Sequence, residues 1–158
     1  MGKKLKLYID TSVWNFVMET LRSDSLLTYE FLQYIKSEEY TIIISDVVDA
    51  EINKSVEPRK SQLQQLMNIY TPLITSIDEE SKQLANIYIN EKLISKNQLN
   101  DAIHIACATV NKCNFIVSWN FQHMVKAKVI MGVHHINHRE GYGLIEIVSP
   151  QQFLGRKE

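Results

Sequence analysis

Short, nearly unbroken apolar runs alternating with helix-period stretches constrain this 158-residue chain more than any other feature. Leu5, Leu7 and Ile9 mark a first strand, and Asp10-Thr11-Ser12 after it is good helix-capping sequence. Leu26, Leu27, Phe31, Leu32 and Ile35 recur at helical spacing and predict a helix over 23–37. Residues 40–44 are β-branched and apolar, a second strand, after which Ser45 or Asp46 caps a helix carrying Val47, Val48, Glu51 and Ile52. Pro58 suits the start of another helix, with Leu63, Leu66, Met67 and Tyr70 on one stripe and Pro72 at its end. Residues 73–77 predict a third strand, and Asp78 caps a helix bearing Leu84, Ile87 and Tyr88. Asn100 or Asp101 opens a helix through Val110. A fourth strand follows over 115–118, a short helix over 120–128, an irregular stretch over 132–143 and a fifth strand over 144–148, stopped by Pro150. Strands that are apolar throughout and alternate with helices imply a parallel sheet covered on both faces. In such sheets, ligand chemistry gathers at the carboxyl ends of the strands near a switch in strand order.

The length suits one domain over residues 1–158. A net charge of −1 excludes binding of nucleic acid through bulk positive charge, but not through a local patch. That charge is uneven: residues 1–99 hold 11 basic and 14 acidic side chains, whereas residues 100–158 hold 6 and 4 and all five histidines. Two cysteines, Cys107 and Cys113, are too few for a disulfide scaffold and read as reduced thiols. No signal-peptide core and no apolar run of about 18 residues is present, so a cytoplasmic protein without a membrane span is expected.

Four polar residues map to the carboxyl edge of the expected sheet. Asp10 follows the first strand, Glu51 lies on the helix after the second, Asp101 opens an Ala-rich helix, and Asn120 sits two residues after the fourth strand. Each alone also has a plain structural role: Asp10 and Asn120 as helix caps, Asp101 as a partner of a helix dipole, Glu51 as a solvated helix residue. Together, three carboxylates repel one another by about 4 kcal/mol per pair at ~4 Å and an effective dielectric near 20. A hard cation relieves that repulsion, and oxygen ligands select Mg²⁺ or Mn²⁺.

The segments Leu7-Tyr8-Ile9-Asp10-Thr11-Ser12-Val13, Asn100-Asp101-Ala102-Ile103-His104-Ile105-Ala106 and Ser118-Trp119-Asn120-Phe121 resemble the motifs of PIN-domain proteins, which include the VapC-type toxins of toxin–antitoxin systems. Ser45 and Glu51 fit the family's second motif, and the order and spacing of all four match along essentially the whole chain. The resemblance implies a Rossmann-like three-layer α/β sandwich with a five-stranded parallel sheet in the order 3-2-1-4-5. It further implies Mg²⁺- or Mn²⁺-dependent endoribonuclease activity, with Asp10, Glu51 and Asp101 as metal-binding carboxylates. Thr11 or Ser12 would orient Asp10 or a metal-bound water, and Ser118 and Asn120 would support the metal's waters. Many members carry a fourth Asp where this chain has Asn120, so a second metal should bind more weakly. A cognate antitoxin and a homodimer are the partners the resemblance implies. The alternative is a catalytically weak module that keeps the fold and holds RNA or a partner protein.

His104, three residues after Asp101, either supports the acidic site or is a satisfied helix histidine. Lys126, Lys128 and Arg139 are candidate contacts to an RNA backbone, against a background of ordinary solvated surface. His134-His135-x-x-His138 has an i, i+4 pair but lacks Cys or carboxylate partners, so an exposed loop is expected there rather than zinc. Trp14, Phe16, Tyr29 and Phe31 are mainly core candidates, and any that are exposed would suit a dimer or antitoxin surface. An aspartyl-phosphate on Asp10 is disfavoured, because residue 12 is Ser rather than a second Asp and no Lys follows the fourth strand.

Overall fold

The computed structural model describes residues 4–19 and 23–156. The strands β1 (Lys6–Ile9), β2 (Thr41–Ser45), β3 (Leu73–Thr75), β4 (Phe115–Val117) and β5 (Glu146–Val148) form one sheet in the order β3-β2-β1-β4-β5. Every pairing in it is parallel, so the expected Rossmann-like sheet and its strand order are both present. Residues 7–9 of β1 and 42–45 of β2 are buried without alternation, which is how strands read when helices cover both faces. The edge strand β3 differs, with Leu73 61% and Ile74 56% exposed.

The helices are α1 (Thr11–Val17), α2 (Ser23–Ser37), α3 (Asp46–Asn53), α4 (Arg59–Tyr70), α5 (Glu79–Asn90), α6 (Leu99–Val110), α7 (Ala127–Arg139) and α8 (Pro150–Leu154). The first four pack among themselves and α8 joins α2, while α5 and α6 form a close pair. None of the described helices is long and apolar enough to cross a membrane. Four helices start where the sequence supplies an oxygen acceptor. Asp10, Ser45, Asp78 and Ser149 accept from the backbone N–H of Ser12, Val48, Ser81 and Gln152. Each such cap contributes about 1 kcal/mol. From β1 the chain winds outward to β2 and β3, then crosses to β4 and β5 on the other side. The switch point therefore lies between β1 and β4, where Ile9 pairs with Val117.

Two expectations fail in the last third of the chain. Residues 121–126 form turns rather than a helix, and the helix that follows, α7, starts at Ala127 and runs on through residues 132–139 of the stretch expected to be irregular. Its apolar stripe is Val129, Val133 and Ile136, at i, i+4 and i+7. The stripe is masked in the sequence by Gly132 and the histidines. Gly132 is explained by close packing, since a Cβ there would lie 2.3 Å from Leu93 Cδ1. His134, His135 and His138 thus sit on a helix, where the His134 ring shares a 2.8 Å hydrogen bond with the Ile145 carbonyl and the other two are exposed. Pro150 does follow the fifth strand, but as the first residue of α8, pre-set for a helical start by its fixed φ. Cys107 and Cys113 are buried and unbridged, as expected.

Glu39, Thr71, Lys92 and Lys112 end α2, α4, α5 and α6 in the left-handed region, with φ of 59°, 43°, 62° and 59°. A side chain with a Cβ costs roughly 1–2 kcal/mol there, and glycine escapes that cost while losing about 0.5–1 kcal/mol in backbone entropy. At the exposed Glu39, substitution Glu39→Gly is therefore expected to stabilise the fold by about 0.5–1 kcal/mol. Urea titration of both proteins measures it, and a lower midpoint for the variant contradicts the strain account.

Candidate functional site

Asp10 leaves β1 at the switch point and is only 4% exposed. Its carboxylate is held on both oxygens by hydroxyls. Ser12 Oγ donates to Oδ1 at 2.6 Å, and Ser118 Oγ donates to Oδ2 at 2.6 Å. Each hydroxyl in turn accepts from the backbone beyond β4: Trp119 N–H reaches Ser12 Oγ and Asn120 N–H reaches Ser118 Oγ, both at 2.9 Å. The Asp10 N–H completes the seam on the Val117 carbonyl at 3.2 Å. Burial raises the pKa of Asp10, and the two serine hydroxyls pull it back in part. Trp119 is itself fixed. Its indole N–H donates to Thr28 Oγ1 at 2.9 Å, and Phe16 stacks on its ring at 5.3 Å.

Asp101, half-buried in the first turn of α6, feels this charge. Its pKa is raised first by burial and then by Asp10, while His104, His123 and the Asn120 side chain act to lower it. Asn120 Oδ1 also accepts from the His123 N–H at 3.0 Å. Glu51 stands half-buried on α3 and enters the group through His104. Burial lowers the pKa of His104, and Glu51 and Asp101 oppose that shift. His104 Nδ1 shares a 2.7 Å hydrogen bond with the Tyr8 hydroxyl, which donates to Ser45 Oγ at 2.8 Å. A buried line of polar groups therefore runs from β1 and β2 to the acidic residues.

The structure brings Asp10, Ser12, Ser118, Asn120, Asp101 and His104 together, and Glu51 is linked to them through its charge on His104. Thr11 lies beside them, and its hydroxyl oxygen is buried with no hydrogen-bond partner. Lys126 and Lys128 flank the group next to His123, at the mouth of a cavity. Arg139 does not join them: eleven residues further along α7, about 16 Å at helical rise, it is paired with Glu91 and Glu140. The sequence-based expectation omits Tyr8 as the partner of His104, and His123. The first hides as a core strand residue, the second as an isolated histidine in a turn.

Oxygen donors with raised carboxyl pKa values suit a hard cation. Among the described residues no group of three or more His, Cys, Asp or Glu side chains is close enough to ligate one ion directly, the α7 histidines included. Mg²⁺ tolerates this, because it keeps several waters and takes only one or two carboxylates. Asp10 and Asp101 are the two carboxylates whose charges interact here, and the Thr11 hydroxyl beside Asp10 is buried without a hydrogen-bond partner.

The comparisons with known proteins bear on the family and the fold. The profile of one family, PIN domain, matches residues 7–122. No curated protein matches the sequence. Among solved structures, the chain is similar to one described as VapBC2 from Rickettsia felis bound to a DNA fragment from their promoter. The TM-score is 0.55 at 17% identity, over 91% of this chain and 98% of that one.

A carboxyl whose pKa rises on folding favours the native state below its unfolded value and loses that contribution as pH climbs through the folded value. Both Asp10 and Asp101 are of this kind. Without divalent cations, Asp101→Asn is accordingly expected to raise Tm at pH 7.5 and to narrow the gap between Tm at pH 7.5 and at mildly acidic pH. Scanning calorimetry in EDTA reads both, and a lower Tm for the variant at pH 7.5 refutes the repulsion.

Proposed function

The chain belongs to the PIN-domain family, and from that premise we propose that it is a metal-dependent endoribonuclease acting through Asp10, Asp101 and Glu51. The observation that carries this reading is the buried Asp10 carboxylate, pinned at the switch point and close enough to Asp101 for its charge to raise the Asp101 pKa. Asp10 and Asp101 would hold Mg²⁺ or Mn²⁺, with Glu51 completing the acidic rim. Such a cation, when bound, supplies charge neutralisation at a phosphate and a water of lowered pKa.

The chain's own residues do the positioning. Ser12 and Ser118 fix both oxygens of Asp10, so its remaining lone pairs face a set direction. Asn120 restrains Asp101 without adding a negative charge, which leaves the site one carboxylate short of a four-acid set and favours one cation over two. His104, kept neutral by burial, feels the charges of both Glu51 and Asp101 and is oriented by Tyr8. In-line attack of water on phosphorus would leave a 3′-hydroxyl and a 5′-phosphate. By likeness of fold to the VapBC2 structure, the protein would be the toxin of a toxin–antitoxin pair in the cytoplasm, with an antitoxin partner and a homodimeric state. Leu26, 66% exposed, and Tyr29, 45% exposed, on α2 supply an apolar surface for such contacts.

One observation favours the weaker alternative, a module that binds RNA or a protein without cutting. Both Asp10 oxygens are already hydrogen-bonded, and no three-ligand cluster is present among the described residues. Calorimetric titration with Mn²⁺ separates the two: binding that Asp101→Asn abolishes supports the nuclease, and no heat at millimolar Mn²⁺ supports the module.

Cleavage of a mixed RNA panel in Mg²⁺ or Mn²⁺ is expected for the wild type and to fall at least a hundredfold in Asp10→Asn and Asp101→Asn. Undiminished cleavage in both variants rejects the assignment. Because Asp10 and Asp101 must be ionised to hold a cation and burial raises the pKa of both, protons compete with the metal, and the acid limb of activity should move to lower pH as Mn²⁺ is raised. The pH profile of kcat/KM locates that limb.

A further inference from the structure

Beside the acidic group lies a cavity of 530 Å³ whose charged lining is entirely basic: Lys92, Lys96, Lys126 and Lys128, with His123 where it meets the acidic site. Among the described residues no Asp or Glu lines it. Among the described residues none of the four ammonium groups has an ion-pair or hydrogen-bond partner, whereas Arg59, Arg139 and Arg156 are each paired with a carboxylate. Unpaired cations facing one hollow repel one another, and an anion in the hollow relieves all four at once.

The walls are built, not accidental. Lys92 and Lys96 come from the turn between α5 and α6. That turn is held by two N–H groups, of Leu93 and Ile94, on the Tyr88 carbonyl at 3.0 and 3.3 Å, with Lys92 in the left-handed region. Lys126 caps α7 and Lys128 lies in its first turn. The two walls meet where the Leu93 side chain packs over Gly132. Leu93, Ile94 and Val129 add an apolar lining between the lysines. His123 joins cavity to acidic site, since it lines the one, lowers the pKa of Asp101 and donates its N–H to Asn120.

We propose that this cavity is a backbone subsite, in which Lys92, Lys96, Lys126 and Lys128 hold the phosphodiesters of the RNA strand next to the bond that is cut. The proposal rests on the ribonuclease reading and adds to it where the strand runs and which residues hold it. A phosphate chain fits better than an acidic peptide. It must pass from four lysines directly to a carboxylate edge, and a polyanion that meets carboxylates through a divalent cation satisfies both halves. The apolar lining suits the sugar or base face of a nucleotide.

The test uses the full chain and a 5′-labelled, mixed-sequence single-stranded RNA of 12 nucleotides. Binding is read by anisotropy in EDTA and cleavage in Mn²⁺. Lys92→Ala/Lys96→Ala is expected to weaken binding at least tenfold. Its salt dependence, log Kd against log salt, should fall in slope by roughly 0.7 for each lysine that contacts a phosphate. Its KM should rise with kcat little changed, the signature of lost ground-state binding. Lys112→Ala, on the turn before β4 and outside this cavity, should match the wild type in every measurement. Unchanged Kd, slope and KM in a double variant with wild-type Tm overturn the subsite while leaving the ribonuclease intact. The same holds if the double variant loses only binding of a labelled Glu-rich peptide, which would assign the cavity to a protein partner. A wild type that neither binds nor cuts the RNA overturns both.

Discussion

One buried carboxylate organises this molecule. Placing Asp10 at the switch point takes a charge out of water at an effective cost of several kcal/mol. Two short charge-assisted hydrogen bonds offset part of it. The hydroxyls that make them are spoken for on their other side by Trp119 and Asn120. The carboxylate is therefore also the link between the ends of β1 and β4, and the loop after β4 has little freedom. Evolution of a more stable chain at this position would favour an apolar residue. Retaining the acid, and a second one within reach of its field, sacrifices stability to function.

How much of this was legible in the sequence depends on the range of the forces involved. The strands and the caps at Asp10, Ser45 and Asp78 are local, set by apolar runs and by one oxygen beside one turn, and the sequence predicts them within a residue or two. Strand order follows from motif resemblance, and Asp10, Asp101 and Asn120 reach a common edge because the topology carries them there. Helix α7 was not legible. A glycine that needs Leu93 to explain it, together with three histidines, looks like a loop until the partner from a distant turn is placed. For the same reason Lys126 and Lys128 are suggested by their proximity in sequence to Asn120, whereas Lys92 and Lys96 lie in a net-acidic region and become part of a basic cavity only in three dimensions.

The near-zero net charge conceals that separation. Acidic side chains at the switch point and lysines a few residues of space away cancel in the sum but not in the field, because at ~0.15 M salt screening acts over about 8 Å. Buried groups are screened less than exposed ones, so the Asp10 end of this gradient should persist in salt while the lysine end weakens. Among the described residues Arg59, Arg139 and Arg156 are each tied to a carboxylate, whereas the four lysines lining the basic cavity have no such partner.

Trp119 gives this arrangement a further property. The chain has two tryptophans, and both are buried, Trp14 within the core and Trp119 against Phe16 with its indole N–H on Thr28. The Trp119 N–H donates to Ser12, one of the residues that hold Asp10, and the Trp14 indole N–H reaches the Ile9 carbonyl just before it. Intrinsic emission from the Trp119 indole is thus a built-in optical reporter of the acidic site. Any ligand that rearranges Ser12 or the loop after β4 changes the packing of the fluorophore, and occupancy can be followed in unlabelled protein.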